Sequence, residues 1–227
     1  MQQQRLNIAI DGPAGAGKST VARRVAERLH IRYLDTGAMY RAMALYAMRC
    51  GVPVQDEAAV ERVLRDADIR VRYTEDGQRV LLAGEDVTDG LRTPELSMAA
   101  SDVSTHRAVR VKLTELQREV ARENDVVMDG RDIGTNVLPD TPYKFYLTAS
   151  VEERARRRLL ELEARGAAAG TLADVAREIE QRDYNDSHRA YMPLRQAEDA
   201  LYIDSTGMTV EEVTEAVLHR VREVGGR

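Results

Sequence analysis

The sequence predicts an α/β fold, with a mainly parallel five-stranded sheet and helices on both faces. Three observations carry this prediction. Short apolar runs recur along the 227-residue chain. Each is bounded by turn residues, and stretches of helical periodicity or helix-capping signals follow several of them. Leu6-Asn-Ile-Ala-Ile10 reads as a buried strand that stops at Asp11-Gly12. After a glycine-rich loop, Val21, Val25 and Leu29 recur every four residues beside Ala22 and Ala26, which makes one apolar helix face. Ile31–Leu34 is a second strand and Ala38–Cys50 a second helix. Asp125–Asp129, Tyr143–Leu147 and Leu201–Asp204 complete the five strands. The spacings Ser150-x-x-Glu153 and Thr209-x-x-Glu212 are capping boxes that open helices after the last two.

Two stretches break this rhythm. Ile69–Tyr73 and Arg79–Leu82, joined through Gly77, read as a β-hairpin, so 66–92 is expected as a small insert. Thr93-Pro94 then carries the N-cap and first-turn proline of a new helix. The second exception is 151–190, where charge-rich helices joined by Gly166–Gly170 leave little apolar surface to bury; the expectation is a mobile arm. The remaining stretches, 1–65, 93–150 and 191–227, form the core.

Composition narrows the function classes. Hydrophobic residues are 43% and charged residues 31%, ordinary for a folded soluble domain. The net charge of −5 argues against a nucleic-acid or anionic-membrane binder. No stretch resembles a signal core or a membrane span, which predicts a cytoplasmic protein. Cys50 is the single cysteine, so no internal disulfide is possible; a small buried thiol is expected there. His30, His106, His188 and His219 lack ligand-like spacing and read as surface or packing residues.

Gly12-Pro13-Ala14-Gly15-Ala16-Gly17-Lys18-Ser19, followed by Thr20, is a complete G-x-x-x-x-G-K-S phosphate loop between a strand and a helix. The spacing has a physical cause. Glycines let backbone N–H groups converge on phosphate oxygens, and the following helix aims its positive end at the same anion. Lys18 brings charge to the β- and γ-phosphates, and the Ser19 hydroxyl is a ligand for Mg²⁺. Only three of the 33 basic residues are lysines, and one of them falls here.

A second anion site fits the strand-to-helix turn at Thr36-Gly37. Asp129, Arg131 and Asp132 follow the third strand, at the sheet edge where such folds bind ligands. The alternative for Asp132 is a helix cap or a structural ion pair. Arginines cluster at Arg154–Arg158 and again at Arg182, Arg189 and Arg195. Most fit a solvated, salt-bridged face, but two or three closing over a transferring phosphoryl group would stabilise its charge. A phosphate acceptor already presents an oxyanion, so positioning and charge suffice without a general base. Two other readings fit the loop: a kinase acting on an alcohol with Asp132 or Asp35 as base, and a nucleotide-binding regulatory protein.

Taken together, the phosphate loop, Leu34–Arg41, Gly84–Thr88, Leu91–Glu95, Asp129–Gly134 and Asp204-Ser-Thr resemble the bacterial cytidylate kinases in order and spacing, over nearly the whole chain. The resemblance implies a P-loop NTPase-type core with a small β insert and a helical lid at 151–190. It implies transfer of the ATP γ-phosphoryl group to CMP or dCMP, with Mg²⁺, by a monomer. It assigns Thr36, Arg41 and Arg131 to the acceptor phosphate and Ser101, Arg110 and Asp132 to cytosine. Arg182 and Asp186 would lie by the sugar and phosphates. Lys18, Arg131, Arg158, Arg182 and Arg189 would stabilise the transferring charge. Thr36 stands where the family often carries Ser, and 183–189 is less basic than in some relatives.

Overall fold

The computed structural model describes residues 5–164, 166 and 170–226. Five parallel strands form the main sheet: β1 (Asn7–Asp11), β2 (Arg32–Asp35), β6 (Val126–Gly130), β7 (Tyr143–Thr148) and β8 (Leu201–Asp204). Their order across the sheet is β2-β6-β1-β7-β8. The register places Asp11 beside Gly130 and Tyr146, and Asp35 beside Asp129. Chemistry-bearing residues from three strands therefore meet at one carboxyl edge.

Strand alternation sorts the core into two clusters. Ile8, Ile10, Val127, Phe145 and Leu147 pack against Val21 and Val25 of α1 (Lys18–Leu29) and against Val213, Val217 and Leu218 of α8 (Val210–Gly225). Ala9, Leu34, Val126 and Met128 pack on the other face against Met39 and Met43 of α2 (Thr36–Arg49) and Val109 and Leu113 of α5 (Arg107–Glu123). Full burial of a side chain such as Phe145 contributes about 1.5–3 kcal/mol.

Between α2 and β6 lie α3 (Glu57–Leu64), a second sheet and α4 (Pro94–Val103). The expected hairpin is present as β3 (Ile69–Thr74) and β4 (Gly77–Leu82), extended by a two-residue third strand, β5 (Glu85–Asp86). Its Ile69, Val80 and Leu82 join the same apolar cluster as Leu34 and Met39. Thr93 caps α4 and accepts from Leu96 N, with proline in the first turn as the sequence predicts.

Further along, α6 (Val151–Ala164) and α7 (Leu172–His188) pack on each other through a separate cluster of Ala155, Val175 and Ile179. Of the expected Gly166–Gly170 connection, the three alanines lie outside the described residues.

Two local expectations are corrected. Cys50 is exposed, because it caps the end of α2 beyond the apolar face. The Thr209 capping box forms completely, but the Ser150 box forms only in part. Ser150 Oγ accepts from Glu153 N at 3.2 Å, while the Glu153 carboxylate turns to Arg156 and Arg157 instead of the cap backbone. Competing arginines on the same helix face account for this. No helix among the described residues is long and apolar enough to cross a membrane.

Candidate active site

The phosphate loop leaves β1 at Gly12, whose φ is +149°. A Cβ there would lie 1.9 Å from the carbonyl oxygen of Leu147, so only glycine lets the loop cross β7. Lys18 opens α1, and its Nζ folds back to donate to Pro13 O at 2.7 Å. Burial, and then the nearby Arg131 charge, pulls its pKa down to about 7. Asp11, at the end of β1, accepts from Ile133 N at 2.8 Å and Gly134 N at 2.7 Å. Burial outweighs these bonds and lifts its pKa to about 7.

Ser19 Oγ donates to Asp129 Oδ2 at 2.8 Å, and Tyr33 OH donates to Asp129 Oδ1 at 2.7 Å. Burial, and then Asp35, raises the Asp129 pKa. A hydroxyl and a single carboxylate side by side offer hard oxygen donors only. Among the described residues no cluster of three His, Cys, Asp or Glu side chains could enclose a metal. That donor set fits Mg²⁺, which takes one or two protein oxygens and completes its shell with phosphate and water.

Across the cleft, Asp35 caps α2 by accepting from Ala38 N at 2.9 Å. Its carboxylate also holds Arg41 at 2.9 Å and Arg92 at 3.3 Å. Burial opposes the charge, yet Arg41 and then Arg92 hold the Asp35 pKa below its usual value. Gln78 of β4 grips the Asp35 backbone, accepting from its N–H at 2.6 Å and donating to its carbonyl at 3.3 Å. The Thr36 hydroxyl donates to Asp129 O at 2.7 Å.

The third wall is a network of buried charges. Arg110 lies 2.6 Å from Asp132. Arg189 reaches Asp132 at 3.3 Å and Asp186 at 3.6 Å. Arg131 Nε donates to Asp186 Oδ2 at 2.7 Å. Burial works against the Asp186 carboxylate, but Arg131, Arg182 and Arg189 hold its pKa low. Arg182 has its pKa lowered to about 10 by burial and then by Arg131. Arg158 pairs with Glu161 at 2.9 Å. Among the described residues, the buried Nε atoms of Arg110 and Arg182 have no hydrogen-bond acceptor.

One cavity of about 340 Å³ gathers Lys18, Ser19, Thr36, Arg41, Ser101, Arg110, Arg131, Asp132, Arg158, Arg182, Asp186 and Arg189. A second, of about 860 Å³, lies along Gly15–Thr20 and is walled by Arg157 and Ser205. Gly12 and Pro13 line neither. Arg92 lines both and was not singled out by the sequence. Its local signals were its place just before the Thr93 cap and within the Leu91–Glu95 motif, neither of which gave it a role. The histidines stay outside: His106, for example, is buried 2.7 Å from Val54 O and packs the core.

A family model described as cytidylate kinase matches residues 8–223. A cytidylate kinase of Geobacillus kaustophilus is 51% identical, covering 97% of this chain and 98% of its own. One from Caldicellulosiruptor bescii is 48% identical, covering 95% of each. A solved structure of an uncharacterized protein from Eubacterium ventriosum superposes with a TM-score of 0.54 at 12% identity, covering 96% of this chain and 98% of that one; it supports the fold alone. With matches of this length on a cleft of this make-up, the chain belongs to the cytidylate kinase family.

Proposed function

We propose that this protein transfers the γ-phosphoryl group of ATP to CMP or dCMP, giving ADP and CDP or dCDP. The observation that carries this reading is the convergence of Lys18 and seven arginines on one cleft, opposite a second strand-to-helix turn at Thr36. Such a cleft can hold two phosphate groups end to end and screen the charge between them.

In this reading the backbone N–H groups of the phosphate loop hold the ATP phosphates, with Lys18 beside them. Ser19 and Asp129 would hold Mg²⁺, which, when bound, would neutralise phosphate charge. Thr36, Arg41 and Arg131 orient the acceptor phosphate. Ser101, Arg110 and Asp132 face the base, while Arg182 and Asp186 lie by the sugar and phosphates. Arg158, Arg182 and Arg189 stabilise charge on the transferring group. The buried Nε donors of Arg110 and Arg182 supply hydrogen bonds that a ligand would accept.

The helices of 151–190 act as a lid. Their separate apolar cluster lets the parts remote from the phosphate loop shift without opening either main core. A monomeric, soluble cytoplasmic enzyme is the setting we propose. The alcohol-kinase reading needs Asp35 or Asp132 as a base. Arg41 and Arg92 hold the Asp35 pKa below its usual value, which makes it a weak base, and the Asp132 carboxylate is occupied by Arg110 and Arg189.

A coupled assay of ADP release across CMP, dCMP, UMP, dTMP, AMP and no acceptor tests the proposal. Turnover led by the two cytidylates is expected. Preference for another acceptor, or ADP release independent of acceptor, would sink it.

A further inference from the structure

The helices α6 and α7 grip the phosphate loop at Ala14, and between them they take both of its backbone polar groups. From α7, Asp183 Oδ1 accepts the Ala14 N–H at 3.0 Å. From α6, Arg154 Nη1 donates to the Ala14 carbonyl at 2.9 Å. The same Nη1 meets Asp183 Oδ2 at 2.5 Å, which closes the arrangement, and Arg154 Nε donates to Ala149 O at 2.9 Å. The side chains are 6% and 20% exposed, so these charge-assisted bonds are largely shielded from water. Gly15 makes the approach possible: a Cβ there would stand 3.1 Å from Arg154 Cβ and from Arg154 O, at a φ of +74°.

Neither Arg154 nor Asp183 lines either cavity, so neither is placed to touch a nucleotide. Their neighbours are. Arg182 precedes Asp183 on α7, Asp186 follows one turn later, and Arg189 caps the helix. A helix is stiff over this length, so fixing Asp183 against Ala14 fixes where those three side chains point. We propose that Arg154 and Asp183 form a latch, a positioning pair that registers α7 and its charged groups against the phosphate loop for phosphoryl transfer. This rests on the kinase reading above.

The test compares Asp183→Asn, Arg154→Met and the double variant with wild type. An amide at 183 keeps an acceptor for Ala14 N–H but turns a donor toward the guanidinium. Misplacement of about 1 Å far from the chemistry can cost on the order of a hundredfold. Asp183→Asn should therefore lower kcat by about tenfold to a hundredfold, while KM for ATP and CMP stays within about threefold. The double variant should be no slower than the slower single, because the pair acts as a unit. Hydrogen exchange in the peptide spanning 12–18 should quicken in each variant without any nucleotide present.

Asp183→Glu, which keeps the charge, should recover part of kcat and guards against a variant that folds poorly. Unchanged kcat in folded variants, multiplicative losses in the double variant, a Glu variant as slow as the amide, or unaltered exchange would each overturn the latch. A wild-type protein inactive on CMP would refute the kinase reading, while the exchange measurement still reports on the latch.

Discussion

Arg110 Nη2 lies 2.6 Å from Asp132 Oδ1, with side chains only 1% and 7% exposed. A pair so deeply buried costs heavily when one member is deleted, because the other charge is left unpaired. In the proposed assignment it would also present a fixed donor and a fixed acceptor to the base. Cytosine offers an N4 amino donor where uracil has an O4 acceptor.

Asp132→Asn keeps the volume but replaces part of the acceptor with a donor. It should lower kcat/KM for CMP by about tenfold to a hundredfold and lower it less for UMP, narrowing the preference. Arg110→Met should narrow it too while sparing KM for ATP. An unchanged ratio between the two monophosphates in folded variants would show that this pair does not read the base.

Lys18→Ala should cut kcat/KM for ATP by about a hundredfold to a thousandfold, the range for removing a group that stabilises developing charge. The lysine makes one hydrogen bond, to Pro13 O, so the fold should survive. Thermal unfolding checks the second claim and steady-state kinetics the first. Near-normal ATP kinetics would place the chemistry elsewhere.

In the free protein Lys18 gives up its proton near pH 7, since burial and the Arg131 charge disfavour the ammonium. A bound polyphosphate favours it, so the pKa rises in the complex. Above pH 7, nucleotide binding should take up a proton, and affinity should fall as pH climbs from 7 toward the raised value. Calorimetry of ADP binding at pH 8, in two buffers of different ionisation enthalpy, measures this. Uptake should disappear in Lys18→Ala, and net release in the wild type would contradict the assignment.

Asp11→Asn tests the turn that follows Asp132. The Asp11 carboxylate accepts two backbone N–H groups, from Ile133 and Gly134. An amide can accept only one and would turn a buried donor against the other. The loss should be about 1–3 kcal/mol, seen as a melting temperature lowered by about 2–4 °C per kcal/mol in a chain of this size. An unshifted midpoint would mean that these bonds carry no net stability.

The phosphate loop was legible because its chemistry is local: glycines, a lysine and a serine in eight consecutive positions. The five strands were legible as apolar runs, since parallel strands bury both faces. Arg154 and Asp183 were not, because they lie 29 residues apart in helices whose charge density reads as a solvated surface. Gln78 was hidden for a similar reason, as a polar residue on an insert whose partner, the Asp35 backbone, is 43 residues away. The strand Glu85–Asp86 is too short to show periodicity. Cys50 was misjudged because thiols are usually buried, and a helix end offers no core to enter.

The second sheet, with Val87 just beyond it, reaches the larger apolar cluster through Ile69, Val80 and Leu82, which pack together with Met39 and Met43 of α2. Its removal would not trim an appendage; it would unroof the half of the protein that holds Thr36 and Arg41. Recombination between relatives should therefore succeed only when crossover points carry α2 and residues 69–87 from the same parent. A graft that splits them would join two half-cores shaped for different partners.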